Sequence, residues 1–131
     1  MDWTECKKKM IVKEVKVDLN LIKSAREIAE IKVKSAEILP DKFFVGKITL
    51  LYDALREYLE CLAIERGFRL YNHECYAAFI KEILRFSGEA YTFDTLRKIR
   101  NGINYYGKRV TAKEAKQIII NLLELINKFK E

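Results

Sequence analysis

The run Ile99-Arg100-Asn101-Gly102-Ile103-Asn104-Tyr105-Tyr106-Gly107 places one guanidinium, two carboxamides and two phenols within nine residues. Such a set can hold a phosphate, read a base edge or stack on a ring, and it is a poor set for a plain apolar core. On a helix, Arg97, Arg100, Asn101 and Asn104 recur at steps of three and four and form one polar stripe. Arg100 and Asn101 offer guanidinium and amide donors for phosphate oxygens, and Tyr105 and Tyr106 add hydroxyls and flat faces. Gly102 in mid-helix costs about 1 kcal/mol relative to alanine, so something should approach the backbone closely there. Arg100 and Tyr106 are six positions apart. One helix converges them poorly, whereas two copies meeting across a two-fold axis would do better. The competing reading is a subunit interface in which Arg100 pairs with a carboxylate and the tyrosines serve as interface aromatics.

The charge of the chain is concentrated around this run. The formal charge is +6, and residues 92–131 hold nine basic side chains against four acidic ones. A basic surface there would attract RNA, a nucleotide or an acidic protein. A lysine-rich solvated face is the plainer alternative. His73 is the single histidine, so any histidine acid–base scheme must use it. Its place at a helix start, in Asn72-His73-Glu74-Cys75, favours packing or capping over chemistry. No nucleophile–base pair, glycine-rich phosphate loop or clustered carboxylate set stands out. Cys6, Cys61 and Cys75 are odd in number and lack close spacing, so neither a zinc site nor a disulfide is expected, and Cys61 and Cys75 read as small core residues. No cofactor and no metal are expected.

The elements that must position these groups read as helices. The 131 residues fit one domain, half of them are hydrophobic, and there are one proline and five glycines. Residues 1–17 form a short lead, where the alternation from Ile11 to Val17 allows a strand but offers it no partner. An N-terminal arm or a first helical turn is expected there. Asp18 can cap a helix to about Leu39, with Ile22, Ala25, Ala29, Val33, Ala36 and Leu39 as its apolar stripe, and Pro40 ends it. Asp41 would cap the next, to about Arg66, with Phe44, Ile48, Leu51, Leu55, Leu59 and Leu62 as a buried seam and Gly67 as C-cap. Asn72 opens a third to about Phe86, stopped by Ser87-Gly88. A fourth starts near Thr92 and carries the polar run to Tyr106, with Gly107 beyond its end. Thr111 and Glu114 make a capping box for the last helix, whose apolar face is Ile118, Ile119, Leu122, Leu125, Ile126 and Phe129. The fold class is all-α, and short loops make an up-down antiparallel bundle of four to five helices the simplest packing. No segment is apolar enough to cross a membrane, and a soluble, cytoplasmic protein is expected.

Three stretches resemble the HEPN family, small helical prokaryotic domains often encoded beside minimal nucleotidyltransferases. Leu51-Tyr52-Asp53-Ala54-Leu55-Arg56 through Glu65-Arg66-Gly67-Phe68 looks like its second helix and glycine stop. Asn72-His73-Glu74-Cys75 through Phe79-Ile80-Lys81-Glu82 looks like its third helix. Arg100-Asn101 followed by Tyr106 sits where the family carries Arg-Asn-x4-His. The resemblance spans about Asp18 to Lys130, making residues 18–131 the HEPN-like domain. It implies a homodimer formed through the signature helices and, in active members, metal-independent cleavage of RNA. Carried over by position, Arg100 binds the phosphate at the cut, Asn101 orients it, and Tyr106 stands where the family has histidine. Arg97, Asn104 and Tyr105 would join Arg100 in binding RNA or a nucleotide. A tyrosine with a pKa near 10 is a weak general base at neutral pH, so the alternative is a noncatalytic HEPN module that binds a partner. Some toxin members are silenced when a partner nucleotidyltransferase adenylylates a tyrosine near the signature, which implies such a partner here and makes Tyr105 and Tyr106 its candidate targets.

Overall fold

The computed structural model describes residues 1–131, apart from the side chain of Tyr105. Six helices and one two-stranded sheet succeed one another as α1 (Trp3–Lys8), β1 (Val12–Glu14), α2 (Leu19–Ile38), α3 (Phe44–Glu65), β2 (Phe68–Leu70), α4 (His73–Ala78), α5 (Ser87–Tyr106) and α6 (Ala112–Phe129). The chain is mostly helical, as its scarcity of backbone breakers predicts. No helix among the described residues is long and apolar enough to cross a membrane.

Helix α3 is the spine. It packs against α2, α5, α6 and β2, so it buries far more than one stripe. Ile48, Leu51, Leu55, Leu59 and Leu62 form the expected seam, and Tyr52, Ala54, Tyr58, Cys61, Ala63 and Ile64 are buried on its other sides. The α2 face is narrower, with Ile22, Ala29 and Ala36 buried at seven-residue intervals. Asp18 caps it as expected, accepting from the Leu21 N–H at 3.0 Å. The capping box of α6 is present in both directions, Glu114 N–H to Thr111 and Thr111 N–H to Glu114, each at 3.1 Å. Gly107 sits at φ +63°, and the Lys108 N–H bonds to the Gly102 carbonyl, closing α5 with a glycine in the left-handed region.

Several expectations are corrected. The strand-like alternation near residue 12 does find a partner. Val12, Lys13 and Glu14 pair antiparallel with Leu70, Arg69 and Phe68, and flanking bonds from Val15 to Gly67 and from Tyr71 to Ile11 lengthen the ladder. The lead also carries α1, capped by Asp2. Its Trp3 is buried edge-on to Phe68 at 5.2 Å, and the Trp3 N–H donates to Glu82 at 2.7 Å. Asp41 does not cap α3. It opens a short 3₁₀ turn, Asp41–Phe43, and its carboxylate lies 3.5 Å from Lys47.

The third helix does not run unbroken to Phe86. After Ala78 the turn widens to a π-helical segment, Phe79–Ile83, and the chain reverses at Arg85, a left-handed residue with φ +68°. Ser87-Gly88 therefore opens α5 instead of stopping the helix before it. The tight polar pair reads alike as an end and as a beginning, and only the Arg85 reversal decides between them. The cysteine reading is overturned as well. Cys6 and Cys75, both buried, form a disulfide across 69 residues that ties α1 to α4. Cys61 is the remaining free cysteine, buried against α2, with its thiol pushed up to about 11 by that burial.

Candidate functional site

The polar stripe of α5 divides in the folded chain. Its arginines turn inward. The Arg97 side chain is 11% exposed and bonds through Nε to Asp94 at 2.9 Å, with Glu74 of α4 at 3.8 Å from Nη2. The Arg100 side chain is 14% exposed and reaches across to α3, where Nη2 lies 3.3 Å from Asp53 Oδ1. Its guanidinium carbon sits 5.2 Å from the centre of the Tyr52 ring, a cation–π distance. Asn101 is half-buried, whereas Asn104 is exposed and Tyr106 is 78% exposed at the end of α5. Among the described residues, the side chains of Asn101, Asn104 and Tyr106 have no hydrogen-bond partner. The expected role of Tyr105 lies outside the described residues.

Gly102 is buried, and a Cβ there would meet the Lys108 side chain at 3.1 Å. The close approach implied by a mid-helix glycine thus comes from the lysine that follows the helix end, folded back along it.

Residues outside the polar run complete the cluster. Tyr52, fully buried, stacks against Phe93 at 5.8 Å and places its hydroxyl 3.1 Å from His73 Nδ1. The His73 ring lies edge-on to Tyr76, 6.2 Å away, and the Arg56 charge acts on Tyr76. Arg56 is held in turn by Glu60 at 3.4 Å. A connected set of Tyr52, Asp53 and Arg56 from α3, His73 and Tyr76 from α4, and Arg97 and Arg100 from α5 therefore occupies the junction of three helices.

Burial is the largest influence on every shifted group in this set. Burial, then the Arg56 and Arg100 charges, lower the His73 pKa to about 4 against the weaker opposing pull of Asp53. The imidazole is neutral at neutral pH. Burial pushes the Tyr52 phenol up despite Arg100, Arg97 and Arg56, so it stays protonated. Burial likewise pushes Tyr76 up to about 12. Arg56 is raised because Tyr76 and Glu60 outweigh the burial that opposes its charge.

His73 is thus the functional candidate that sequence reasoning set aside as a cap or packing residue. Asn72 does the capping, accepting from the Glu74 N–H at 2.8 Å. The signal that could have found His73 lies in Asp53 and Arg56, charged positions of α3 that flank the buried Tyr52, Ala54 and Leu55.

A cleft of about 680 Å³ adjoins the cluster between the start of the chain, α4 and α5. Arg97 belongs to both, and Glu74, Asp94, Lys98, Lys81 and Glu82 supply charges of either sign to the cleft wall. Beyond the end of α5, Lys108, Arg109, Lys113 and Lys116 are all exposed, and none makes an ion pair among the described residues. Much of the basic excess of the C-terminal third is therefore presented at the α5–α6 connection, while Arg97 and Arg100 face carboxylates. Among the described residues, no three His, Cys, Asp or Glu side chains gather as a metal-binding group.

The chain matches no family model, no curated protein and no solved structure.

Proposed function

We propose that this chain is a HEPN-like domain that binds RNA or a nucleotide through its phosphate at Arg100. In this reading the helices form an up-down antiparallel bundle, and two copies meet through α5 as a homodimer. Asn101 orients the phosphate, Arg97 and Asn104 extend the contact along the helix, and Tyr106 meets a base or ribose. The domain acts as a metal-independent endoribonuclease toxin, and a nucleotidyltransferase is its antitoxin partner.

The observation that carries this reading is the setting of Arg100. Its guanidinium is held against the Tyr52 ring and beside Asp53, in a mostly buried position that fixes the plane of the donor fork. A pre-oriented fork matches the paired oxygens of a phosphate and loses little side-chain entropy on binding. The exposed Lys108 and Arg109, directly beyond Tyr106, supply the sequence-independent attraction that a polyanion needs. The deciding experiment measures binding of single-stranded RNA to Arg100→Ala at two salt concentrations. The wild type should bind with a steep salt dependence, and the variant should lose affinity while its helical circular dichroism is retained. Equal affinity in both proteins removes the reading.

One observation favours the noncatalytic alternative within the same family. Tyr106, at the signature position of the histidine, is 78% exposed and stands without a side-chain partner that could activate it. Cleavage of an RNA panel by purified protein, abolished in Arg100→Ala, would exclude that alternative.

A further inference from the structure

Tyr52 and His73 are 21 residues apart in sequence and share one hydrogen bond, Tyr52 Oη to His73 Nδ1 at 3.1 Å. The direction of that bond follows from burial. The phenol keeps its proton, and a buried hydroxyl must have an acceptor for it. Among the described residues, His73 Nδ1 is the partner in reach. Tyr52 therefore donates, Nδ1 accepts, and the neutral imidazole carries its own proton on Nε2. Nε2 makes no hydrogen bond among the described residues, and it is not among the buried polar atoms left unsatisfied, so it reaches solvent.

The same tyrosine organises two donors. Its ring seats the Arg100 guanidinium, and its hydroxyl fixes the His73 tautomer. The charged groups facing His73 are Asp53 and Arg56 from α3 and Arg97 and Arg100 from α5, with Glu74 and Tyr76 on its own helix. Burial first, and then three guanidinium groups that outweigh the one carboxylate across the helix junction, keep a proton off the ring. A phosphate placed among these groups reverses their field.

We propose that His73 is a second donor of the Arg100 site, its Nε2–H donating a hydrogen bond to a phosphate oxygen, and that phosphate occupancy is coupled to uptake of a proton at Nδ1, where the Tyr52 hydroxyl then turns from donor to acceptor. The inference rests on the reading of Arg100 as a phosphate binder and adds to it both a second donor and a pH-sensitive affinity. Phosphate at the site raises the His73 pKa, so by linkage the ligand binds more tightly as pH falls toward that raised value. The phosphodiesters of RNA keep one charge across this range and report the coupling cleanly, whereas a nucleotide phosphomonoester loses charge near pH 6.

A single histidine makes the test direct. The imidazole C2 proton of the intact protein is titrated by NMR alone, with a short single-stranded RNA and with adenosine 5′-monophosphate, while binding of each is followed by fluorescence. The free protein should titrate near 4. The bound ligand should raise this by about one unit or more, equivalent to a tenfold tighter complex at low pH. A rise with RNA alone assigns a nucleic-acid phosphate, and a rise with the nucleotide alone assigns a free nucleotide. His73→Gln, whose amide N–H can replace Nε2–H, should keep most of the affinity and lose its pH dependence. His73→Phe should lose about tenfold, the worth of one hydrogen bond. Binding of either ligand with an unmoved histidine, or unchanged affinity in a folded His73→Phe, overturns the inference and leaves the Arg100 reading standing. Absence of binding by both ligands overturns the two together.

Discussion

The guanidinium of Arg100 lies over the ring of Tyr52, with 5.2 Å between the guanidinium carbon and the ring centre. The contact joins the polar run of α5 to the core spine α3, and Asp53, next in sequence to Tyr52, supplies the carboxylate that completes the seat.

Two substitutions at this seat should act on phosphate binding with opposite signs. Arg100→Ala removes the donor fork and should weaken RNA binding by about 1.5–3 kcal/mol, at least tenfold. Asp53→Asn removes a carboxylate that competes with phosphate for the same guanidinium, so affinity should rise. The melting temperature should still fall, because a partly buried charged hydrogen bond worth about 1–3 kcal/mol is weakened. Titration calorimetry beside thermal melts checks both, and weaker binding by Asp53→Asn would show that the carboxylate positions Arg100 more than it competes.

Stability should depend on pH through His73. Its pKa is about 4 when folded and 6.5 as the reference for the unfolded chain. The unfolded state therefore takes up the proton first as pH drops. The contribution is fully present above about 6.5, is lost as pH falls toward 4, and amounts to at most about 3 kcal/mol. Wild-type and His73→Gln melts between pH 7.5 and 4 isolate it, because carboxylate titration is common to both. Parallel curves would show that the ring is not desolvated as described.

The Cys6–Cys75 bridge closes a loop of 69 residues. In the chain-entropy account such a crosslink adds about 4 kcal/mol by restricting the unfolded chain. Reduction, or Cys6→Ser, should lower the denaturation midpoint accordingly. Thiol counting on denatured protein should find one reactive cysteine before reduction, Cys61, and all three afterwards. Three thiols in unreduced protein would remove the bridge.

Gly102→Ala tests the approach of Lys108. Alanine recovers about 1 kcal/mol of helix propensity. The new Cβ, however, meets the lysine side chain at 3.1 Å and must displace it by a few tenths of an ångström. The net change should be a stabilisation smaller than the full propensity gain, read from chemical denaturation. A clear loss would mean that the lysine stem is fixed in place.

Some local signals hold, at Asp18, Thr111 and Gly107, others mislead, at Asp41 and Ser87-Gly88, and pairings between distant segments leave no local signal. The caps at Asp18 and Thr111 and the stop at Gly107 act within four residues of themselves, so a short window contains their physics. The β1–β2 ladder joins residues 12 and 70, the disulfide joins 6 and 75, and the seat of Arg100 lies 47 residues upstream at Asp53. None of these partners announces itself to the other by spacing. Arg100 is visible because an arginine, two carboxamides and two tyrosines crowd one helical run. Tyr52 is not, because an aromatic residue on a core helix fits the apolar pattern around it. His73 was judged by its place at a helix start, whereas its surroundings are set by α3 and α5, which approach it from outside its own segment.

The N–H of Trp3 is bonded to the carboxylate of Glu82, 79 residues further along the chain. The indole of Trp3 is seated against Phe68 and Phe79 and its backbone N–H on Glu82, all contacts with residues synthesised much later. Trp3 therefore cannot reach its seat until the 79 residues that follow it, through Glu82, have been synthesised. The bridge at Cys6 is under the same constraint, because its partner Cys75 lies 69 residues downstream.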